Sequence, residues 1–218
     1  MSSPPPSDLP LSSSTDVVAL LRRVWPEIVA ECRAVWGSEL HYQAMIYHIL
    51  RQAGAPLGQI GMNVKQWIES PITEHFRALD VRKHESFRGG FEPIPDIVLF
   101  DAGIAGDFRR RNRALTLRHM IGAIEVKTSE RQGGRLTQGE ILRDIAKLVA
   151  HRKEADHRAE AERRGRRFLP VMLVLDTAPD AAERMRSAAR QSCRTAAVEA
   201  GVGWLFAAQD EEECHLEG

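Results

Sequence analysis

The chain has almost no excess charge, few cysteines, few tyrosines and no long apolar run. Thirty Lys and Arg balance thirty Asp and Glu in 218 residues. No global field therefore draws the protein to nucleic acid or an anionic surface, and any basic patch has to be local. No apolar stretch approaches the ~20 residues a helix needs to cross a bilayer. The opening MSSPPPSDLPLSSS lacks the basic-then-apolar pattern of a secretion signal. Cys32, Cys193 and Cys214 are odd in number, widely spread and without a CxxC pair. That excludes a recognisable zinc motif and points to free thiols in a reducing compartment. A cytoplasmic protein with no membrane association is the expectation. At 43% apolar and 28% charged residues, the composition is that of a globular protein with one full core.

Residues 1–14 are rich in Pro and Ser and are expected to form a disordered tail. A single domain is expected over 15–208, followed by an acidic tail over 209–218 that carries Asp210 to Glu213. The apolar spacing from Val17 predicts a helix, with Pro26 opening a second piece through Val35. A further helix runs from Glu39 to about Ala53, with Tyr42, Ile46 and Ile49 on one face. Residues 59–70 read as another helix, and Leu79 to His84 alternate as a half-exposed strand. Strands follow at Pro95 to Asp101 and Met120 to Thr128. Thr137 with Glu140 forms a capping box for a helix to at least Lys153. The paired part of the next strand is expected from Val171, after Pro170. Asp180 and Glu183 are expected to cap a helix ending at Gly201, and Val202 to Ala207 closes the sheet. The fold class is α/β, a central mixed sheet of about five strands flanked by helices. Trp25, Trp36, Trp67 and Trp204 lie in apolar contexts and are expected in the core.

The stretch that carries chemistry is MIGAIEVKT, 120–128. Side chains alternate along a strand, so Ile121, Ala123, Glu125 and Lys127 are expected on one face. A carboxylate and an ammonium then project together from an apolar run, where charge is costly unless paired or metal-bound. Pro95-Asp96 opens the preceding apolar strand, and neighbouring strands bring their side chains within a few ångströms. Glu39 falls on the apolar stripe of its helix. Two readings stay open for it: a charge that suits the first helical turn, or a functional acid. An ion pair of Lys127 with Glu125 or Asp96 is the structural alternative for the whole group.

In order and context, Pro95, Asp96, Glu125 and Lys127 resemble the signature of the PD-(D/E)xK nuclease superfamily, the restriction-endonuclease-like fold. The resemblance covers residues 38–176, a helix, a three-strand meander, a helix and a further strand. It implies a metal-dependent nuclease acting on nucleic acid, most simply a DNA endonuclease in restriction, defence or repair. It also implies Asp96, Glu125 and Glu39 as ligands of Mg2+ or Mn2+, with Lys127 beside the scissile phosphate. A non-catalytic nucleic-acid-binding or protein-interaction module on the same fold is the alternative. A homodimer and a partner protein remain open.

Arg109, Arg110, Arg111 and Arg113 concentrate positive charge between the two strands, and a guanidinium fork suits phosphate. They are expected next to the site as nucleic-acid contacts, the alternative being a solvated hairpin tip. A second basic run, Arg163 to Arg167, reads as a solvated helix end. Gln138, Asp144 and Lys147 follow the key strand as polar helix residues do in many members of that superfamily, but they rank lower, since Asp144 and Lys147 are also an ordinary helix-surface pair. His75, His84, His119 and His151 show no ligand spacing.

Overall fold

Helix α1 (Ser14–Ala34) starts at a capping box in which Ser13 Oγ accepts the Asp16 N–H and the Asp16 carboxylate accepts the Ser13 N–H. Pro26 does not divide it. The buried stripe from Val17 through Val24 continues to Ile28, Val29 and Cys32, and its packing outweighs the ~3 kcal/mol of a proline in a helix interior. The computed structural model describes residues 10–85, 88–130, 134–161 and 168–217. Most of the expected N-terminal tail and the basic run 163–167 lie outside them. Residues 10–13 do not behave as a tail: Leu11 is buried, and Gln59 Nε2 donates to the Leu11 carbonyl at 2.6 Å.

In chain order there follow α2 (Glu39–Gln52), β1 (Ile60–Met62), β2 (Ile68–Glu69), α3 (Glu74–Val81), β3 (Gly90–Phe91) and β4 (Ile97–Phe100). Then come α4 (Arg113–Arg118), β5 (Met120–Thr128), α5 (Gln138–Ala161), β6 (Leu169–Asp176), α6 (Ser187–Glu199), β7 (Gly203–Ala208) and β8 (Glu212–His215). Six strands form one mixed sheet in the order β1-β4-β5-β6-β7-β8. β1, β4 and β5 are an antiparallel meander, β5, β6 and β7 are parallel, and β8 returns antiparallel. β2 and β3 pair separately.

Apolar residues alternate into two cores, one on each sheet face. α1 and α2 cover Ile97, Leu99, Ile124, Val126, Val171 and Leu173. α3, α4, α5 and α6 cover Val98, Phe100, Ala123, Met172, Val174 and Trp204.

Four expectations are corrected. The first meander strand is β1, inside the stretch expected as helix. Its short apolar run fits either period, and Gly61 with Asn63 at φ 51° disfavours a helix there. Leu79 to His84 is not a strand, because α3 occupies 74–81 and buries Phe76 against Phe91, ring centroids 4.5 Å apart. The last helix opens at Ser187, seven residues beyond Asp180. The acidic 209–218 segment contributes a sixth strand, in which Glu213 accepts the Trp204 indole N–H at 2.9 Å.

Against the expectation, β6 is paired with β5 already from Leu169, with Pro170 in register with Ala123; Pro170 is tolerated because β7 pairs with β6 only from Val171 onward. At Gly122, α1 packs close against β5. A Cβ there would stand 3.0 Å from Val17 Cγ1, a side chain that is fully buried. Gly122→Val is expected to push α1 outward and cost about 1–3 kcal/mol, read as a lower urea midpoint at unchanged m-value.

Candidate functional site

The C-terminal half of β5 presents the charges. The register that sets Ile97 opposite Ile124 places Asp96, one residue before β4, opposite Glu125. Asp96 Oδ2 accepts the Val126 N–H at 2.7 Å, which fixes its carboxylate against β5. The expected alternation holds for Ala123, Glu125 and Lys127 but fails at Ile121. A bulge between the 99–122 and 100–120 pairs gives β5 one extra residue, so Ile121 turns to the α1/α2 face and Met120 joins Ala123.

Two lysines pair with three acids here, with Asp96 beside them. Lys127 Nζ donates to Glu39 Oε2 at 3.0 Å and to the Val126 carbonyl at 3.2 Å, and stands 3.5 Å from Asp144 Oδ2. Lys147 Nζ lies 2.7 Å from Glu125 Oε1 and 3.7 Å from Asp144 Oδ1. Glu39 reaches the group because it begins α2 beside the end of β5. Ser38 provides no side-chain cap, and Glu130, just after β5, accepts the Glu39 N–H at 2.7 Å instead. Beyond Lys127, a cleft of about 260 Å³ opens between Glu39, Ser129, Arg135, Arg143 and Asp144.

Burial dominates the electrostatics. Glu125 is 3% exposed, and loss of solvent lifts its carboxyl to about 7; Lys147 pulls it down, while Asp96 and Asp144 push it up. Burial likewise lifts Asp96 to about 6 against the Val126 hydrogen bond, with the Glu39 charge adding to the rise. The two carboxyls thus feel each other. Burial pulls the Lys127 ammonium down, but the Glu39 hydrogen bond and the charges of Asp144 and Asp96 outweigh it. Lys127 is therefore a fixed cation near neutrality, suited to stabilising negative charge and not to accepting a proton.

The structure thus brings Asp96, Glu125, Lys127 and Glu39 into one cluster, with Glu39 bonded to Lys127. Among the described residues no three His, Cys, Asp or Glu side chains form a group able to hold an ion together. The donor set nevertheless suits a hard cation of the magnesium type. Such an ion takes one or two carboxylates and completes its shell with water and phosphate oxygens. Asp96 and Glu125 supply that pair, and burial, more than any neighbouring charge, raises both carboxyls.

Asp144, Lys147 and Glu130 are the members that sequence reasoning undervalued or missed. Asp144 and Lys147 do lie three apart on a helix, as a surface pair would. What separates them from such a pair is their place about two turns into the helix that follows the key strand, where α5 lies across Glu125. Gln138 is elsewhere, donating to Ser192 Oγ at 2.8 Å.

The arginine segment is not beside this cluster. Phe100 pairs with Met120 at the opposite end of β5, roughly 20 Å along the strand from Lys127. Arg113, with Arg118 and Arg158, lines a separate cavity beside Met120 and Phe168. Arg109 pairs with Asp107, Arg110 with Glu92 at 3.0 Å, and Arg113 stacks 5.2 Å from the Trp67 ring. Arg111 is exposed on the same segment.

Trp25 and Trp204 are core residues and Trp67 is half-buried, but Trp36 is 63% exposed, contrary to expectation. The Tyr42 hydroxyl explains its position, since it donates to the Val35 carbonyl and accepts the Gly37 N–H, pinning the α1–α2 turn outward. His151 is buried, and burial drives its ring down to about 3, so it is neutral. No helix among the described residues is long and apolar enough to span a membrane. Compared with protein-family models, with curated proteins and with solved structures, the chain matches none.

Proposed function

We propose that the protein is a metal-dependent nuclease of the PD-(D/E)xK type that hydrolyses phosphodiester bonds in nucleic acid, most simply as a DNA endonuclease. The observation that carries the reading is the placement of Asp96 opposite Glu125, with the fixed cation Lys127 one strand repeat further on, at the open end of β5. The chain order α2, β1, β4, β5, α5, β6, with an antiparallel meander and a parallel fourth strand, agrees with that family's core. In this reading Asp96 and Glu125 hold Mg2+ or Mn2+ from neighbouring strands. When bound, the ion supplies Lewis-acid stabilisation to a phosphoryl oxygen and acidifies a water.

The chain's own groups do the rest. Lys127 places positive charge beside the scissile phosphate, where charge develops in the transition state. Glu39 orients the Lys127 ammonium and is itself positioned by Glu130. Asp144 keeps both lysines within the cluster. Glu39 then acts through Lys127, in place of the metal-ligand role expected from the sequence.

A second reading has its own observation. Both lysines are already paired with acids, which is what a non-catalytic module using these charges structurally would show. Incubating the protein with plasmid, linear duplex, single-stranded DNA, branched DNA and RNA in Mg2+ or Mn2+ separates the two. Cutting that EDTA abolishes supports the nuclease. Binding without cutting, by folded protein on every substrate, supports the module.

The four arginines have a distinct expected role. Replacing Arg109, Arg110, Arg111 and Arg113 by Ala together is expected to leave the rate at saturating substrate within about threefold, because they lie far from the reacting groups. Any contribution to phosphate contact would appear as a shallower salt dependence of binding, measured by fluorescence anisotropy across a salt series.

A further inference from the structure

Lys147 is the cluster's unexplained charge. It comes from α5, across the layer boundary from β5, and its ammonium stands closer to Glu125 than to Asp144 on its own helix, 2.7 against 3.7 Å. A carboxylate as buried as Glu125 needs a cation at hand, or it holds a proton. The contact is near but poorly directed, since Glu125 Oε1 accepts no hydrogen bond of good geometry. Charge, not alignment, holds the lysine there.

An ammonium at this distance also occupies the space in front of the oxygen. A magnesium-type ion binds carboxylate oxygens at about 2.0–2.1 Å, so an ion on Glu125 and the Lys147 ammonium would stand close enough to repel each other. The Lys147 side chain is 26% exposed and has a second anion within reach in Asp144, which also faces Lys127 and lines the open cleft. Its flexible four-carbon stem permits that exchange.

We propose that Lys147 is a displaceable internal counter-ion: it neutralises Glu125 when no divalent cation is bound, and on metal entry is repelled to Asp144 and the cleft, where it meets substrate phosphate. The proposal rests on the reading of Asp96 and Glu125 as metal ligands. It offsets part of the buried Glu125 charge in the ion-free enzyme and couples metal entry to delivery of a second cation to the anionic substrate.

The test uses the full chain and Mn2+ alone, titrated calorimetrically. Lys147→Met removes the competitor, so Mn2+ is expected to bind at least about tenfold more tightly, while cleavage at saturating Mn2+ slows. Lys147→Arg keeps the charge and is expected to bind Mn2+ no more tightly than wild type. Independently of any variant, reductive methylation of wild-type lysines followed by mass spectrometry is expected to show Lys147 labelling rising several-fold on Mn2+ saturation, with Lys65 unchanged. Equal Mn2+ affinity in wild type and Lys147→Met, or Lys147 labelling indifferent to bound Mn2+, overturns the proposal and leaves the nuclease reading standing. No Mn2+ binding by any of the three proteins overturns both.

Discussion

Asp96→Asn is expected to abolish cleavage and, in the ion-free protein at pH 8, to raise thermal stability. The rate effect follows from the loss of one of the two carboxylates proposed to hold the ion, and is expected to reach at least about 10³-fold. The stability effect has the opposite sign because Asp96 is ionised at a cost. Burial lifts its carboxyl from 3.8 to about 6, and that of Glu125 from 4.5 to about 7. Between those limits the folded protein keeps protons that the unfolded chain has released. Stability from these groups is thus full below about pH 4 and is lost as pH rises through about 6 and 7.

For Asp96 the loss is on the order of 3 kcal/mol at most. An Asn can still accept the Val126 N–H and carries no charge. Melts in EDTA should therefore show wild type less stable at pH 8 than at pH 5, and Asp96→Asn should flatten that slope and raise Tm at pH 8 by roughly 5 °C. Mg2+ should raise the wild-type Tm at pH 8 and leave that of Asp96→Asn unmoved. A variant that cuts normally would show that the acid is not a ligand, and one that melts lower than wild type at pH 8 would show that it is not a buried charge under strain.

Lys127→Ala is expected to lower the rate at saturating substrate by about 10²–10³-fold with little change in Tm. Its side chain is partly exposed, and its partners Glu39 and Asp144 keep access to solvent. The acids around Lys127 hold its ammonium above the ordinary lysine range, so its contribution is charge, not proton abstraction. Raising the pH should therefore not restore the variant. A lost general base would be replaced progressively by hydroxide, giving a rate deficit that shrinks with pH. Parallel pH–rate profiles of variant and wild type from pH 7 to 9 are the expected result, and convergence would reassign the lysine as a base.

Much of this arrangement was legible in the sequence, for reasons that differ element by element. β5 announced itself because a charged pair ended an apolar run, and α5 because its capping box and apolar stripe agreed. The α2 stripe put Glu39 on the buried side, and the structure gives it a partner there. β1 was misread because three residues with a glycine carry no period of their own; pairing with β4 makes them a strand. Leu79 to Val81 alternated like a strand, yet docking of Phe76 on Phe91 made them the end of a helix. The bulge at Ile121 and the capping of α2 by Glu130 depend on contacts between segments distant in sequence. The distance of the arginines from Lys127 required knowing which end of β5 their connection joins. Lys147 looked like half of a helix-surface pair until α5 was laid across Glu125.

The account's central claim is that Asp96, Glu125 and Lys127 form a metal-dependent phosphodiesterase site. The most direct measurement is the rate of plasmid and single-strand cleavage at pH 8 in Mn2+, for wild type and Lys127→Ala in parallel, with EDTA as control. The account predicts cleavage by wild type that EDTA eliminates and that Lys127→Ala reduces by at least about 100-fold. Equal rates for wild type and Lys127→Ala, or cutting that persists in EDTA, would contradict it.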